Sequence, residues 1–260
     1  MKVKACIYTD AGIARKVNQD SVLVKVAKTK KLGRISFVAV CDGMGGFSKG
    51  EIASCKTIRA LENWFHEELT LMQDLDEDRL FEVVEQSWRR LIARVNGEIR
   101  RYGKHRKIKL GTTLTALLQV GKRYILMNVG DSRIYITEKD GIKQITKDQS
   151  AVQEKLDRGI ITESQAKEAE DKNVLLQCVG ISGTPEPEIR RGILEGNSTV
   201  FACSDGFWRT MDDDEAFRML CPQMCVTSED MLEACKKLAG KAFERHERDN
   251  ISVAAMCMEF

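Results

Sequence analysis

The chain has no apolar run approaching the ~20 residues of a helical membrane span. Its first ten residues, MKVKACIYTD, are too polar and too short for a secretory signal. An excess of either charge is also missing. Lys and Arg number 41 against 39 Asp and Glu, so net charge argues for no partner class, nucleic acid and membrane included. Proline is scarce, at 3 residues against 19 glycines, which suits tight loops between regular elements. No phosphate-binding G-x-x-x-x-G-K-[ST] sequence occurs, and no internal repeat. Of the three histidines, His66 and His246 fall on helical patterns and His105 in a basic loop; none is assigned a catalytic role. With no linker or tail in the sequence, a single domain over 1–260 is expected.

Nine cysteines need a reading. Cys6, Cys41, Cys203 and Cys257 lie in apolar, strand-like runs, where a free thiol behaves as a small core residue. The count is odd and no spacing repeats, which points to a reducing, cytoplasmic compartment. Cys221 and Cys225 form a lone C-x3-C without a second pair or a nearby histidine, so helix-end packing is expected there in place of zinc.

Apolar residues make up 43% of the chain, enough for a sizeable core. Short β-branched runs occur at 3–8, 21–26, 34–41, 112–119, 123–129, 132–137, 142–145, 198–204 and 251–258. Only Gly121-Lys122 and Gly130-Asp131 separate three of them, which predicts an antiparallel meander, and Asp140-Gly141 marks another tight turn. One helix is expected from Ser48, with Glu51 completing a capping box. A second is expected over about 78–101, and a third group at 213–220 and 228–245. The pattern predicts an α+β fold in which sheets pack on each other with helices outside. Residues 147–187 are polar, carry a small capping signal at Thr162 with Gln165, and read as a surface flap. Two basic clusters, KTKKLGR at 28–34 and RRYGKHRKIK at 100–109, read first as solvated turns and second as docking sites for an acidic or phosphorylated partner.

The stretch VAVCDGMGGFSKGE at 38–51 poses the functional question. Gly43-x-Gly45-x-x-Ser48 comes close to a dinucleotide loop, but Asp42 would stand where a pyrophosphate must approach. A bare carboxylate there is repulsive unless a cation lies between. Asp20, Asp42, Asp131, Asp205 and Asp249 all follow or flank apolar runs. Turn chemistry explains any one of them better than it explains five. Clustered carboxylates with accessible backbone carbonyls select hard ions, Mg2+ or Mn2+. Asp42 is therefore read as a metal ligand.

DAGIARKVNQD, VCDGMGG, GTTLTALL, NVGDSRIYI, TKDQS, CSDGF and RDNISV occur in that order, and together they resemble the metal-dependent serine/threonine phosphatases of the protein phosphatase 2C family, in their compact bacterial form. The resemblance implies an α-β-β-α sandwich. It implies two Mn2+ or Mg2+ ions bridged by Asp42, with the Gly43 carbonyl on the second ion and Asp205 and Asp249 on the first. Asp20 would act through metal-bound water with Gln19 beside it, Asn250 would orient Asp249, and Arg15 would grip the substrate phosphate. Asp131 with Asp205 matches a third, weaker ion site. Hydrolysis of phosphoserine and phosphothreonine by a hydroxide held between the ions would follow. The implied partners are phosphorylated proteins and a cognate serine/threonine kinase, with the enzyme a monomer.

The chain departs from the family pattern at three places: Met44 where many members have a histidine, Gln149 in TKDQS, and Gln177 in NVLLQCVG. The last two lie in the flap and bear on its docking. Two other readings remain. One is a catalytically silent phosphoprotein-binding module on the same fold. The other is a cysteine-dependent phosphatase, since Cys203 and Arg209-Thr210 satisfy C-x5-R-[ST].

Overall fold

The computed structural model describes residues 1–260 except 45–48 and 182. The chain runs β1 (Lys2–Asp10), β2 (Ser21–Thr29), β3 (Gly33–Cys41), β4 (Gly43–Met44), α1 (Gly50–Leu71), α2 (Glu77–Arg106), β5 (Gly111–Thr112), β6 (Leu114–Val120), β7 (Arg123–Val129), β8 (Arg133–Glu138) and β9 (Gly141–Gln144). It continues with α3 (Ala151–Asp157), α4 (Glu163–Glu168), β10 (Glu188–Ile193), β11 (Ser198–Cys203), α5 (Asp205–Trp208), α6 (Asp213–Leu220), α7 (Ser228–Glu244) and β12 (Ile251–Glu259). One antiparallel sheet has the order β1-β12-β11-β8-β9 and the other β10-β7-β6-β3-β2, while β4 and β5 form a small ribbon.

Both sheets are covered on both faces, which is why their central strands read as unbroken apolar runs. In β3 the period of two still sorts the side chains. Val38 and Val40 enter the layer between the sheets, with Leu117, Leu126, Val200, Ala202, Ala254 and Met256. Phe37, Ala39 and Cys41 point the other way, onto α1 and α2 with Trp64, Trp88 and Leu91. The outer face of the first sheet packs Phe201, Cys203 and Val253 against Met231, Cys235 and Leu238 of α7. The layers are thus α-β-β-α, as expected.

Three local expectations are corrected. Gly130-Asp131 is not a hairpin: β7 already pairs with β6 and β10, so it has no free edge, and β8 crosses to the other sheet to pair with β11 and β9. The meander ends at β7, and the crossover carries Asp131 to the rim between the sheets. Next, α1 starts at Gly50 behind Lys49, which has a φ of 95° and no side-chain cap. Lys49, not Ser48, precedes the helix, and Ser48 itself lies outside the described residues, as does Gly45. Finally, α2 continues to Arg106, beyond the expected end near 101, and β10 (EIRRGI) was not anticipated. Its arginines stay exposed because it is an edge strand, and charge there discourages further pairing.

The 147–187 segment is a flap with two short helices, and α4 does carry the Thr162–Gln165 capping box. Its base is tied down by Gln149. The Gln149 amide donates to the Gly130 carbonyl at 2.9 Å, its side chain accepts from Gly130 N–H at 3.0 Å, and Leu176 N–H donates to the Gln149 carbonyl at 2.8 Å. Gln177 accepts from the Glu186 amide at 3.2 Å. Both departures from the family pattern are therefore seated at the root of the flap.

Candidate metal centre

The centre forms where strand ends meet at one edge of the sandwich. Asp42 follows β3, and its backbone is fixed from both sides: its N–H donates to Thr113 Oγ1 at 2.8 Å, and its carbonyl accepts from Thr113 N–H at 2.9 Å and Thr112 Oγ1 at 2.8 Å. Gly43 then passes so close to neighbouring backbone that a Cβ would lie 2.3 Å from the Gln19 carbonyl oxygen and 2.5 Å from that of Gly50. A side chain at 43 would push the Asp20 segment and the start of α1 away from Asp42.

Asn250 gathers the remaining segments. Its side chain donates to the carbonyls of Ala11 at 2.8 Å and Val17 at 3.1 Å, and accepts from the Gln19 amide at 2.9 Å. Its own N–H reaches Asp249 Oδ1 at 2.9 Å. One buried amide thus holds the 11–20 loop, and with it Arg15 and Asp20, against Asp249. Asp205 opens α5 directly after β11, and Trp208 Nε1 donates to the Asp131 carbonyl at 2.9 Å, which draws the β7–β8 crossover to the same place.

The chemistry of the cluster is set by burial without neutralisation. Both carboxylate oxygens of Asp20 and one of Asp205 are buried with no hydrogen-bond partner. An unpaired buried carboxylate is costly and answers by holding its proton. Burial pushes Asp20 up to about 7, assisted by Asp205 and Asp249 and opposed by the hydroxyls of Ser252 and Ser204. Asp131 is pushed up to about 8 by burial and then by Asp205 and Asp148, with Arg209 opposing. Asp42 lies well above the ordinary carboxylate range, first from burial and then from Asp20, Asp205, Asp131 and Asp249. Asp205 is raised by burial against the pull of Arg209, and its carboxyl is within hydrogen-bonding range of that of Asp42. Orphaned buried oxygens and mutual repulsion are what a cation would relieve, and an all-oxygen donor set suits Mg2+ or Mn2+.

Among the described residues no three acidic, thiol or imidazole side chains converge closely enough to hold an ion as they stand. Arginines lie against two of the carboxylates instead. Arg15, half exposed, forms a two-pronged pair with Asp249, Nε to Oδ1 at 3.0 Å and Nη2 to Oδ2 at 2.8 Å. Arg209 pairs with Asp205, reaches Glu247 at 3.4 Å and touches Asn173 of the flap at 3.5 Å. Glu247 is buried and also accepts the Asp249 amide at 3.0 Å.

The sequence reading placed Asp20, Asp42, Asp131, Asp205, Asp249, Gln19, Asn250 and Arg15 in one site, and the fold brings all of them together. It missed Arg209 and Glu247 as neighbours of the cluster, and Thr112 and Thr113 as its support. Arg209 was legible as the residue four positions after Asp205 in a helix. Cys203 does not face the site: it is fully buried in the core of the first sheet, and burial raises its thiol far above its ordinary range. A thiolate nucleophile has no support there.

A family model, "Protein phosphatase 2C", matches residues 13–240. The chain belongs to the protein phosphatase 2C family. It is 30% identical over 247 residues to the serine/threonine phosphatase stp of Listeria innocua, covering 94% of this chain and 92% of that one. Serine/threonine phosphatase Stp1 of Staphylococcus aureus superposes with a TM-score of 0.83 at 25% identity, over 100% of this chain and 96% of that one. The catalytic domain of PstP, solved with two manganese ions, superposes with a TM-score of 0.75 at 26% identity, over 98% of this chain and 97% of that one.

Proposed function

We infer that this chain is a metal-dependent serine/threonine protein phosphatase that hydrolyses phosphoserine and phosphothreonine at a centre of two Mn2+ or Mg2+ ions. The observation that carries the reading is the set of buried, mutually repelling carboxylates of Asp20, Asp42 and Asp205, with oxygens of Asp20 and Asp205 left short of hydrogen-bond donors. Asp42, Asp205, Asp249 and the Gly43 carbonyl would hold the ions, with Asp20 acting beside them. When bound, the ions supply Lewis acidity and a water acidified for attack at neutral pH.

The protein's part is to place and balance charge. Asn250 holds Arg15 beside Asp249, and a planar guanidinium is the group that clamps a phosphate through two parallel hydrogen bonds. Arg15, now paired with Asp249, would be free to hold the equatorial oxygens of the phosphoryl group if a cation took over that carboxylate. Met44 carries no proton to give, so it is not the group that protonates the leaving alkoxide. Asp131 has a place on the far side of Asp205, where Arg209 already contributes a positive charge; a third ion there would compete with that guanidinium. Phosphorylated proteins are the substrates, so a serine/threonine kinase opposes this activity.

Chelator-treated protein should turn over neither p-nitrophenyl phosphate nor a phosphothreonine peptide. Returning Mn2+ or Mg2+ should restore both. Turnover that persists in chelator would overturn the reading.

A further inference from the structure

The C-terminal part of α2 borders a cavity of about 440 Å³, lined by Arg100, Arg101, Lys104 and Lys109 over a floor that includes Ile108 and Ile181. The same helix pairs three of its four earlier arginines within itself, Arg79 with Glu82, Arg89 with Glu85 and Arg94 with Glu98, Arg90 being the exception. That pairing stops at Glu98. Among the described residues none of the four cavity cations has a carboxylate partner. Basic residues in a last turn relieve the helix dipole, but that effect is equivalent to roughly half a charge. Four cations exceed it, and Arg100 and Arg101 lie before the last turn while Lys109 lies beyond the helix.

The cavity is built and held open. Asn96, buried in α2, donates to the Gly183 carbonyl at 2.7 Å and accepts from Gly180 N–H at 2.7 Å, and Arg100 reaches the Gly183 carbonyl at 3.3 Å. These bonds fix the wall opposite the helix. A Cβ on Gly180, whose φ is 105°, would lie 2.4 Å from Ile99 Cγ2. Next to Gly180, Val179 pairs with Thr112 through bonds of 2.9 Å in both directions, and Thr112 holds the Asp42 carbonyl. Lys109 precedes Thr112 by three residues, a backbone span of at most ~10 Å. Lys109 is thereby held within roughly 15 Å of the Asp42 backbone, an upper limit set by the reach of the chain.

We propose that this basic cavity binds a second anionic group of the substrate protein, a phosphate or an acidic side chain, no more than about four to five residues from the phosphate being removed. That limit follows from ~3.3 Å per residue of an extended peptide across the maximum distance. The proposal rests on the phosphatase reading and names the substrates it favours: segments that are multiply phosphorylated or flanked by acid. Nucleic acid is the less suited occupant, because Tyr102 is the one aromatic side chain in the 100–109 cluster and Arg106 already lies over its ring at 5.8 Å.

The test compares phosphothreonine peptides bearing phosphoserine, glutamate or serine four and five residues to either side, using the parent and a quadruple Arg100→Ser, Arg101→Ser, Lys104→Ser, Lys109→Ser variant. All four side chains are exposed, so folding should survive, and p-nitrophenyl phosphate turnover reports the centre alone. At low salt the parent should favour a doubly charged peptide by about tenfold in kcat/KM, from a few exposed pairs acting together. The variant should lose that preference while p-nitrophenyl phosphate turnover stays unchanged. Phosphoserine and glutamate arms separate a phosphate-selective site from a general anion site. A parent indifferent to the second charge, a variant that keeps the preference, or a variant that loses only RNA binding would each overturn the proposal. If neither protein turns over any substrate, the phosphatase reading fails, and peptide binding by fluorescence anisotropy still decides the cavity: it should require the four cations.

Discussion

Asp20→Asn should flatten the pH dependence of stability in the metal-free protein. Asp20 stands at about 7 in the folded chain because it is buried beside Asp205 and Asp249, and the hydroxyls of Ser252 and Ser204 offset only part of that. In the unfolded chain it titrates near the ordinary 3.8. Between those values the folded protein holds a proton that the unfolded chain releases, so stability falls as pH rises from about 4 and levels off above about 7. Each unit of difference is worth about 1.4 kcal/mol. From pH 5.5 to pH 8 the part due to Asp20 is therefore about 2 kcal/mol, or roughly 4–8 °C in Tm at this chain length. An asparagine keeps the shape, is neutral throughout, and removes that slope.

The assay is a series of urea or thermal unfolding curves on chelator-treated parent and variant across that pH range. The parent should lose more stability than the variant by about 2 kcal/mol, with Asp42, Asp131 and Asp205 adding a further slope common to both. Mn2+ at about a hundred times its Kd should then return close to 3 kcal/mol per site to the parent at pH 8 and less to the variant. Unfolding curves that shift with pH in parallel would refute the reasoning, since Asp20 would then not be a buried, uncompensated carboxylate.

Asp42→Ala should abolish turnover, by at least about a thousandfold, while circular dichroism stays that of the parent, because the backbone of Asp42 is held by Thr112 and Thr113 and not by its own carboxylate. Arg15→Ala should weaken phosphopeptide turnover by about a hundredfold in kcat/KM while leaving Mn2+ binding by calorimetry near normal, since its one partner at the site is Asp249. Asp131→Ala should keep turnover at saturating Mn2+ but change the dose–response; overlaid curves from parent and variant would show that Arg209, and no third ion, balances Asp131. Cys203→Ser should leave p-nitrophenyl phosphate turnover within about twofold, the serine hydroxyl being a modest polar cost in the core; loss of turnover in a protein that still melts cooperatively would reopen the thiol mechanism.

The layers of the fold were legible because each central strand is covered on both faces and so must be apolar along its length. β3, β6, β11 and β12 announce themselves that way. β10 did not, because an edge strand keeps its charges, and EIRRGI has no apolar alternation to read. The β7–β8 gap misled for a different reason. Turn residues report that a chain changes direction, while the choice of partner depends on which edges are already taken. α1 begins at Gly50, two residues beyond Ser48, where Gly43 and Gly50 pass each other at a distance no side chain permits.

At the centre the aspartates could be read from sequence because carboxylates are rare at the ends of apolar strands unless something cationic waits there. Their supports were harder to see. Thr112 and Thr113 act through backbone and hydroxyl bonds that any β-branched strand residue would disguise, and Glu247 looks like one more charge in a polar turn. Arg209 carries the most consequence of these. It joins Asp205 in the centre, Glu247 behind Asp249, and Asn173 in the flap. One guanidinium thus contacts the acidic cluster, the support behind Asp249 and the flap. Gln149, anchored to Gly130 next to Asp131, fastens the flap from the other end. The flap of this chain is therefore fastened beside the acidic cluster at two points, Gln149 on Gly130 and Asn173 on Arg209.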